Sequence, residues 1–286
     1  MELKLTFQKL KEKFINLNIL EKIIFLNLAC FIFPYILNTF FFLFDYSNFS
    51  IISWFELSSD LKKIIFKPWS IISYSFFHSG FFHLFWNMII LLYSGQIFLN
   101  LFPNKMFLST YFVGVIFGGI IFIFCYNVFP VFFNSYSTMI GSSAGVMAVL
   151  IFICVYSPNY EIRILFFNIK LLYIGLFFVF FDIIQIPYGN AGGHFAHLGG
   201  SLVGFIYARQ IKNGKDIFDS FSFLIISIFY KNKKKENKII KNDYRKILHK
   251  DINQKKIDQI LDKINSSGYD SLSKEEKDFL FKNREN

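Results

Sequence analysis

The stretch from residue 81 to residue 157 contains a single Lys, Lys105, and no Arg, Asp or Glu. A soluble domain normally carries about 25% charged residues, so this stretch is not typical of a soluble fold. The residues after Arg209, in contrast, are densely charged. This uneven distribution, in a chain that is 54% hydrophobic overall, predicts an integral membrane domain followed by a soluble tail.

The apolar runs have the length of membrane-spanning helices, which need roughly 20 residues each. The sequence predicts an all-α, polytopic bundle of six such helices, near residues 23–44, 81–100, 106–128, 142–157, 164–185 and 193–211. The first run is too long for a signal-peptide core and lacks a small-residue cleavage site, so we expect it to be retained. Trp and Lys residues in the loop 45–80 favour a segment lying in the membrane interface.

The domain boundaries follow from the same changes in composition. We expect a cytoplasmic N-terminal segment over 1–22, a membrane domain over 23–211, and an interfacial helix over 212–230, with a seventh span as the alternative. The basic tail, 231–286, has apolar residues at helical spacing and then the capping-box pattern of Ser273 and Glu276. A small soluble helical hairpin fits this tail.

Positive charge flanks the spans on one side of the predicted bundle. The N-terminus, the turns with Lys105 and Arg163, and the tail carry Lys or Arg, whereas the loops 129–141 and 186–192 carry none. The positive-inside rule then places both termini in the cytoplasm, and we expect a multi-pass protein of a bacterial cytoplasmic membrane. The net charge of +10 comes largely from lysines next to the last span, which favours anionic lipid over nucleic acid as the partner. The tail is either a solvated appendage or a contact for an unknown cytoplasmic partner.

A serine lies at the start of an unusually short span. From Ser143 to Ser157 a helix covers about 22 Å, against a hydrocarbon core of about 30 Å, so Ser143 would lie roughly 8 Å below the outer surface. Free backbone amides at a helix N-terminus can hold a developing oxyanion. The alternatives are that this serine caps the helix or packs among small residues.

Two further spans carry polar residues that lipid does not tolerate. His83 and Asn87 are four residues apart and share one helical face, where they form either donors to an oxyanion or a buried hydrogen-bonded pair. His197 lies on the last span, and serine with histidine is the minimal pair for nucleophilic catalysis. Gly200 and Gly204 follow His197, and small residues of this kind let helices approach closely.

Other constellations are weaker in the sequence. Asp182 is the only carboxylate in the last two spans, so a Ser143–His197 dyad is favoured over a triad that includes it. A metal site of His78, His83, His194 and His197 is an alternative, but no carboxylate partner for it is evident. A transporter would be expected to carry more intramembrane charge or broken paired helices.

Taken together, these elements resemble the rhomboid family of intramembrane serine proteases. The resemblance covers residues 25–211 and rests on HxxxxHxxxN at His78, His83 and Asn87, GxS at Gly141 and Ser143, and AHxxG from Ala196 to Gly200 with Gly204 beyond. Two positions depart from the commonest pattern. Ala144 follows the serine in place of glycine, which leaves Ser142 as the alternative nucleophile, and Met147 stands where an aromatic residue often packs.

The resemblance implies a function for each of these positions. Ser143 would be the nucleophile and His197 the general base, while His83, Asn87 and the Ser143 amide would form the oxyanion hole. Gly141, Ala144, Gly200 and Gly204 would pack the helices around the site. The implied substrates are transmembrane helices of other proteins, and the implied chemistry uses no cofactor and no metal. An inactive rhomboid-like protein that binds membrane helices is the alternative.

Overall fold

The computed structural model describes residues 17–45, 50–164, 166–219 and 221, and in the tail 260, 262–264, 271–273 and 275–277. The chain divides into two compact units, residues 1–229 and 230–286. The first unit holds the apolar helices and the second holds the tail.

Helices dominate the first unit, as the sequence predicts. The α-helices are α1 Ile19–Leu43, α2 Leu61–Phe66, α3 Ser70–Ser73, α4 Phe81–Leu101, α5 Asn104–Val128, α6 Ser143–Tyr156, α7 Leu171–Gln185 and α8 Ala191–Lys212. Within the described residues, four segments are long and apolar enough to cross a membrane: α1, α4, α5 and the stretch Leu171–Tyr188 that contains α7. The predicted all-α polytopic membrane bundle is confirmed.

The outer surface of this bundle carries many large apolar side chains. Large exposed apolar side chains occur along the spans, among them Ile36, Trp86, Phe124, Phe177 and Ile184. Soluble proteins rarely expose contiguous apolar patches larger than a few hundred Å². An exterior of this kind fits a hydrocarbon environment.

The fifth span begins later than predicted. Residues Glu161–Ile164 (β3) and Phe167–Lys170 (β4) form an antiparallel hairpin, so the prediction that the span starts at 164 is wrong. Charged and apolar residues alternate from Glu161 to Ile164, which is the period of a strand and not of a helix. Helix α7 therefore starts at Leu171, after the hairpin.

The loop between α1 and α4 is tied to the loop before α6. Strand β1, Leu57–Ser58, pairs antiparallel with β2, Thr138–Met139. Ser59 extends the pairing, because its N–H donates to the Ser137 carbonyl at 2.9 Å and its hydroxyl accepts from the Ser137 N–H at 3.1 Å. The residues leading into α6 are thus fixed by hydrogen bonds to the first loop.

Helix α6 is the core of the bundle. Its residues from Ala144 to Cys154 are all buried, and it is enclosed by α4, α5, α7 and α8. A Cβ on Gly114 of α5 would collide with Ala148 of α6. A Cβ on Gly118 would likewise lie 2.6 Å from the Ala144 Cβ, so α5 and α6 cross closely at these glycines.

The tail unit shows the predicted capping box. The Ser273 N–H donates to Glu276 Oε2 at 2.7 Å, and the Glu276 N–H donates to Ser273 Oγ at 3.3 Å. Helical residues follow at 275–277, and others lie at 260 and 262–264. The rest of the predicted hairpin and most of the predicted interfacial helix lie outside the described residues.

Candidate active site

Ser143 is the first residue of α6, and the turn before it depends on Gly141. Gly141 has a φ of +134°, a region that residues with a side chain rarely adopt. Its N–H donates to the Tyr74 carbonyl at 3.0 Å, which ties the turn to the first loop. Ser143 is partly exposed, whereas Ser142 is fully buried.

His83 of α4 covers this turn. A Cβ built on Gly141 would lie 2.8 Å from His83 Nε2 and 3.7 Å from Ser143 Oγ. The imidazole and the hydroxyl therefore lie on the same side of the Gly141 backbone. The other ring nitrogen, Nδ1, lies 3.1 Å from Ser79 Oγ. If the Ser79 hydroxyl donates to Nδ1, the proton resides on Nε2, which then faces the Ser143 turn as a donor.

Asn87 lies one turn after His83 on α4, as the spacing predicts. It is buried, and its Nδ2 donates to the His83 carbonyl at 2.9 Å. Since an amide nitrogen has two hydrogens, this bond leaves one of them for another acceptor. The bond also holds the Asn87 side chain along the face of α4 that carries His83.

Ser142 has a partner of its own. Its hydroxyl lies 3.1 Å from His78 Nε2, and its N–H donates to the same nitrogen at 3.4 Å. Both contacts need Nε2 as an acceptor, and burial, reinforced by His83, lowers the pKa of His78 to about 3. His78 is thus neutral, and it holds Ser142 in the buried wall behind Ser143.

The crossing of α6 and α8 brings the last span against the serine helix. A Cβ on Gly200 would overlap the Ala144 carbonyl, and one on Gly204 would overlap the Ala148 carbonyl. The backbones can approach this closely only because these positions lack a side chain. Gly141 and the Gly200–Ala144 contact thus lie next to Ser143, whereas Gly204 packs further along α6, against Ala148.

His197 lies on α8 one turn before Gly200. Its imidazole is close enough to His83 to interact with it electrostatically, and its side chain is 23% exposed. The hydrogen bonds found among the described residues do not include one between Ser143 and His197. Ser143 and His197 therefore lie on two helices that touch beside them, at Ala144 and Gly200.

An acidic residue that the sequence analysis placed outside the site touches His197. Asp182 Oδ1 lies 2.7 Å from His197 Nδ1 and 2.8 Å from His194 Nδ1. Asp182 is 3% exposed. The sequence did indicate a functional role for Asp182, because an ionisable residue in an apolar span is by default a candidate functional residue. The contact itself depends on the packing of α7 against α8.

The alternative of a metal site built from His78, His83, His194 and His197 is not observed among the described residues. Asp182, His194 and His197 instead have potential ligand atoms within 4.8 Å of one another. The two hydrogen bonds to Asp182 Oδ1 account for this cluster without an ion. His78 is occupied by Ser142, on the other side of His83.

A cavity of about 180 Å³ lies between α1 and the loop before α4, and its lining includes Tyr35, Asn38, His78 and Ser79. The cavity therefore reaches two residues that contact the site, because Ser79 is bonded to His83 and His78 to Ser142.

The arrangement supplies the groups that acyl transfer needs. A hydroxyl lies at a helix N-terminus, an imidazole donor covers the same turn, and a second imidazole with a carboxylate behind it stands on the adjoining helix. Helix N-terminal amides and neutral donors stabilise an oxyanion, and an imidazole can accept the hydroxyl proton.

Models of known families match two parts of the chain. Residues 243–283 match a family of unknown function, DUF6576. The comparison with curated proteins finds no match. Residues 66–213, which include every candidate site residue described above, match the Rhomboid domain. The chain belongs to the rhomboid family.

Proposed function

We propose that this protein is a serine endopeptidase that cleaves transmembrane helices within or near the bilayer. The observation that carries the proposal is the turn at Gly141, which places Ser143 at the start of a short buried helix and beside His83. Ser143 is the proposed nucleophile and His197 the proposed general base. Ser142 is a poor nucleophile, because it is buried and bound to His78.

The proposed reaction proceeds through an acyl-enzyme. Ser143 Oγ attacks the scissile carbonyl carbon while His197 Nε2 takes the hydroxyl proton. The Ser143 N–H, His83 and Asn87 donate to the oxyanion of the tetrahedral intermediate. The imidazolium returns the proton to the leaving amine, and a water activated by His197 then hydrolyses the ester. No cofactor takes part.

The substrates and location follow from the same site. A nucleophile at the end of a 14-residue helix lies below the membrane surface, so its substrates are membrane-spanning helices of other proteins, presented in lipid. The distribution of Lys and Arg favours both termini in the cytoplasm and a bacterial cytoplasmic membrane.

The first experiment compares purified wild type, Ser143→Ala and Ser142→Ala in detergent on a model single-span substrate with small residues near its outer end. We expect product from the wild type and Ser142→Ala, and none from Ser143→Ala. Equal product from all three would show that Ser143 is not the nucleophile. Loss of product in Ser142→Ala alone would assign the attack to Ser142.

An inactive rhomboid-like protein that binds membrane helices is the second candidate. It is favoured by one observation, that the described hydrogen bonds include none between Ser143 and His197. Substrate that co-purifies with the wild type and stays uncut in several lipids would support it. Labelling of Ser143 by a fluorophosphonate would exclude it, because that reaction needs an activated hydroxyl.

A further inference from the structure

The carboxylate of Asp182 is buried between two spans, and its hydrogen-bond partners among the described residues are two imidazoles. It lies near the end of α7, and one of its oxygens, Oδ1, accepts hydrogen bonds from both His194 and His197 on α8. These histidines are three residues apart, so they share one face of α8. The second oxygen, Oδ2, is buried and has no hydrogen-bond partner in the part of the chain that the structure describes.

The burial of a carboxylate in this position has a large desolvation free energy. Burying an unpaired charge costs several kcal/mol, and two neutral N–H donors offset only part of that cost. A salt bridge to a Lys or Arg would offset more of this cost, but the partners described here are the two histidines, which are charged only when protonated. Protonation of His197 would therefore give the Asp182 carboxylate a positive neighbour.

The bond to Asp182 selects one tautomer of His197. A carboxylate accepts hydrogen bonds, so Nδ1 must carry the proton and Nε2 must be free as an acceptor. This is the tautomer that a general base requires. When Nε2 takes the Ser143 proton, the isolated carboxylate becomes half of an ion pair, which stabilises the transition state more than the ground state.

We propose that Asp182 is a positioning residue that fixes His197, so that the site is a Ser143–His197–Asp182 triad. The effect of Asp182 on the reaction rate rests on the proposed function, whereas its effect on the tautomer of His197 does not. Asp182 orients His197 and takes no proton from it. His194, three residues before His197 on α8, shares Asp182 Oδ1 and helps to hold the carboxylate in place.

The first test measures the tautomer of His197 and needs no substrate. Protein labelled with 15N-histidine in detergent contains five imidazoles, and the His197 signals are assigned by their loss in His197→Gln. We expect the Nδ1–H tautomer in the wild type. In Asp182→Asn we expect the population of the Nε2–H tautomer to increase, because an amide nitrogen can donate a hydrogen bond to Nδ1. An Nε2–H tautomer in the wild type, or an unchanged spectrum in Asp182→Asn, would overturn the proposal.

The second test separates positioning from structure. Asp182→Asn should lower kcat by about 10²–10⁴-fold while KM changes by less than about threefold. Asp182→Glu should recover part of the loss, because it keeps the acceptor. His194→Phe is the comparison variant, with an expected loss below about tenfold, since it leaves the bond between Asp182 and His197 in place.

Two kinetic outcomes would contradict the triad. An equal loss in Asp182→Asn and His194→Phe, with a matching fall in melting temperature, would make the cluster structural. Full activity in Asp182→Asn would leave a dyad. If the wild type cleaves no substrate, the proposed function fails on that ground, and the tautomer measurement still decides whether Asp182 orients His197.

Discussion

Gly141 shows how much of the site depends on a single backbone position. Its φ of +134° is strained for any residue with a side chain, and a Cβ there would also press on the His83 imidazole at 2.8 Å. The two effects can be separated, because Gly189 has a similar φ of +140° with open space around it.

Replacement of Gly141 by Ala should therefore lower activity far more than replacement of Gly189. We expect each variant to lose about 1–3 kcal/mol of stability through backbone strain. Only Gly141→Ala should also lower kcat by more than about tenfold, because it displaces His83 from the oxyanion. The measurements are melting temperature and cleavage rate. Similar rates in the two variants would mean that His83 does not act on the reaction.

His78 makes stability depend on pH. Its folded-state pKa of about 3 lies below the ordinary value of 6.5, so the unfolded chain binds a proton in this window that the folded chain does not. The stabilising contribution is complete above pH 6.5 and falls as pH decreases toward 3.

We expect the wild type to lose up to about 3 kcal/mol of stability through His78 between pH 6.5 and 4. His78→Asn should be less stable at pH 7 but show a weaker dependence on acid. Melting temperatures of both proteins across this range provide the measurement. Parallel curves for the two would show that His78 is not the group responsible.

At the scale of elements, the contact between α6 and α8 holds the site together. Gly200 and Gly204 meet the carbonyls of Ala144 and Ala148 without an intervening side chain. The sequence predicted this pairing from the spacing of small residues, because close helix packing leaves a periodic signature. It did not predict the hairpin before α7, where apolar residues near 165 were assigned to a helix.

A methyl group on Gly200 should push these helices apart. We expect Gly200→Ala to lose about 1–3 kcal/mol by overpacking and most of its activity, because Ser143 and His197 lie on the separated elements. Leu202→Ala is the control, since Leu202 is on the same helix and 44% exposed. A Gly200→Ala protein as stable and active as this control would contradict the assigned crossing.

At the scale of the whole molecule, the hydropathy of the sequence predicts the membrane-spanning helices. The geometry of the site depends on contacts between residues that are distant in the sequence. Apolar length identifies α1, α4, α5 and the stretch that contains α7, because a helix that crosses the bilayer needs roughly 20 residues. Helix α6 has only 14 residues, so length alone does not identify it. The partners of Asp182 and Ser142 were not predicted, since they come from residues 12 or more positions away. Residue spacing specifies a shared helix face, but it does not specify which faces meet.

Orientation in the membrane is a prediction at this same scale. The charge distribution places Lys105 and Arg163 on the cytoplasmic side and the loop 129–141 outside. Arg163→Cys and Tyr136→Cys, each in a cysteine-free background, change exposed residues. They should react with a membrane-impermeant maleimide only from the cytoplasmic and outer sides, respectively. The reverse pattern would invert the topology.

The 14-residue length of α6 also has a consequence for the choice of the bond that is cut. A helix of about 21 Å cannot match a bilayer by tilting, so thicker membranes must be accommodated by local thinning. A substrate helix follows the acyl chains around it, whereas Ser143 stays fixed to its own scaffold. Lengthening the lipid tails should therefore slide the substrate past the serine and move the cleavage position along its sequence.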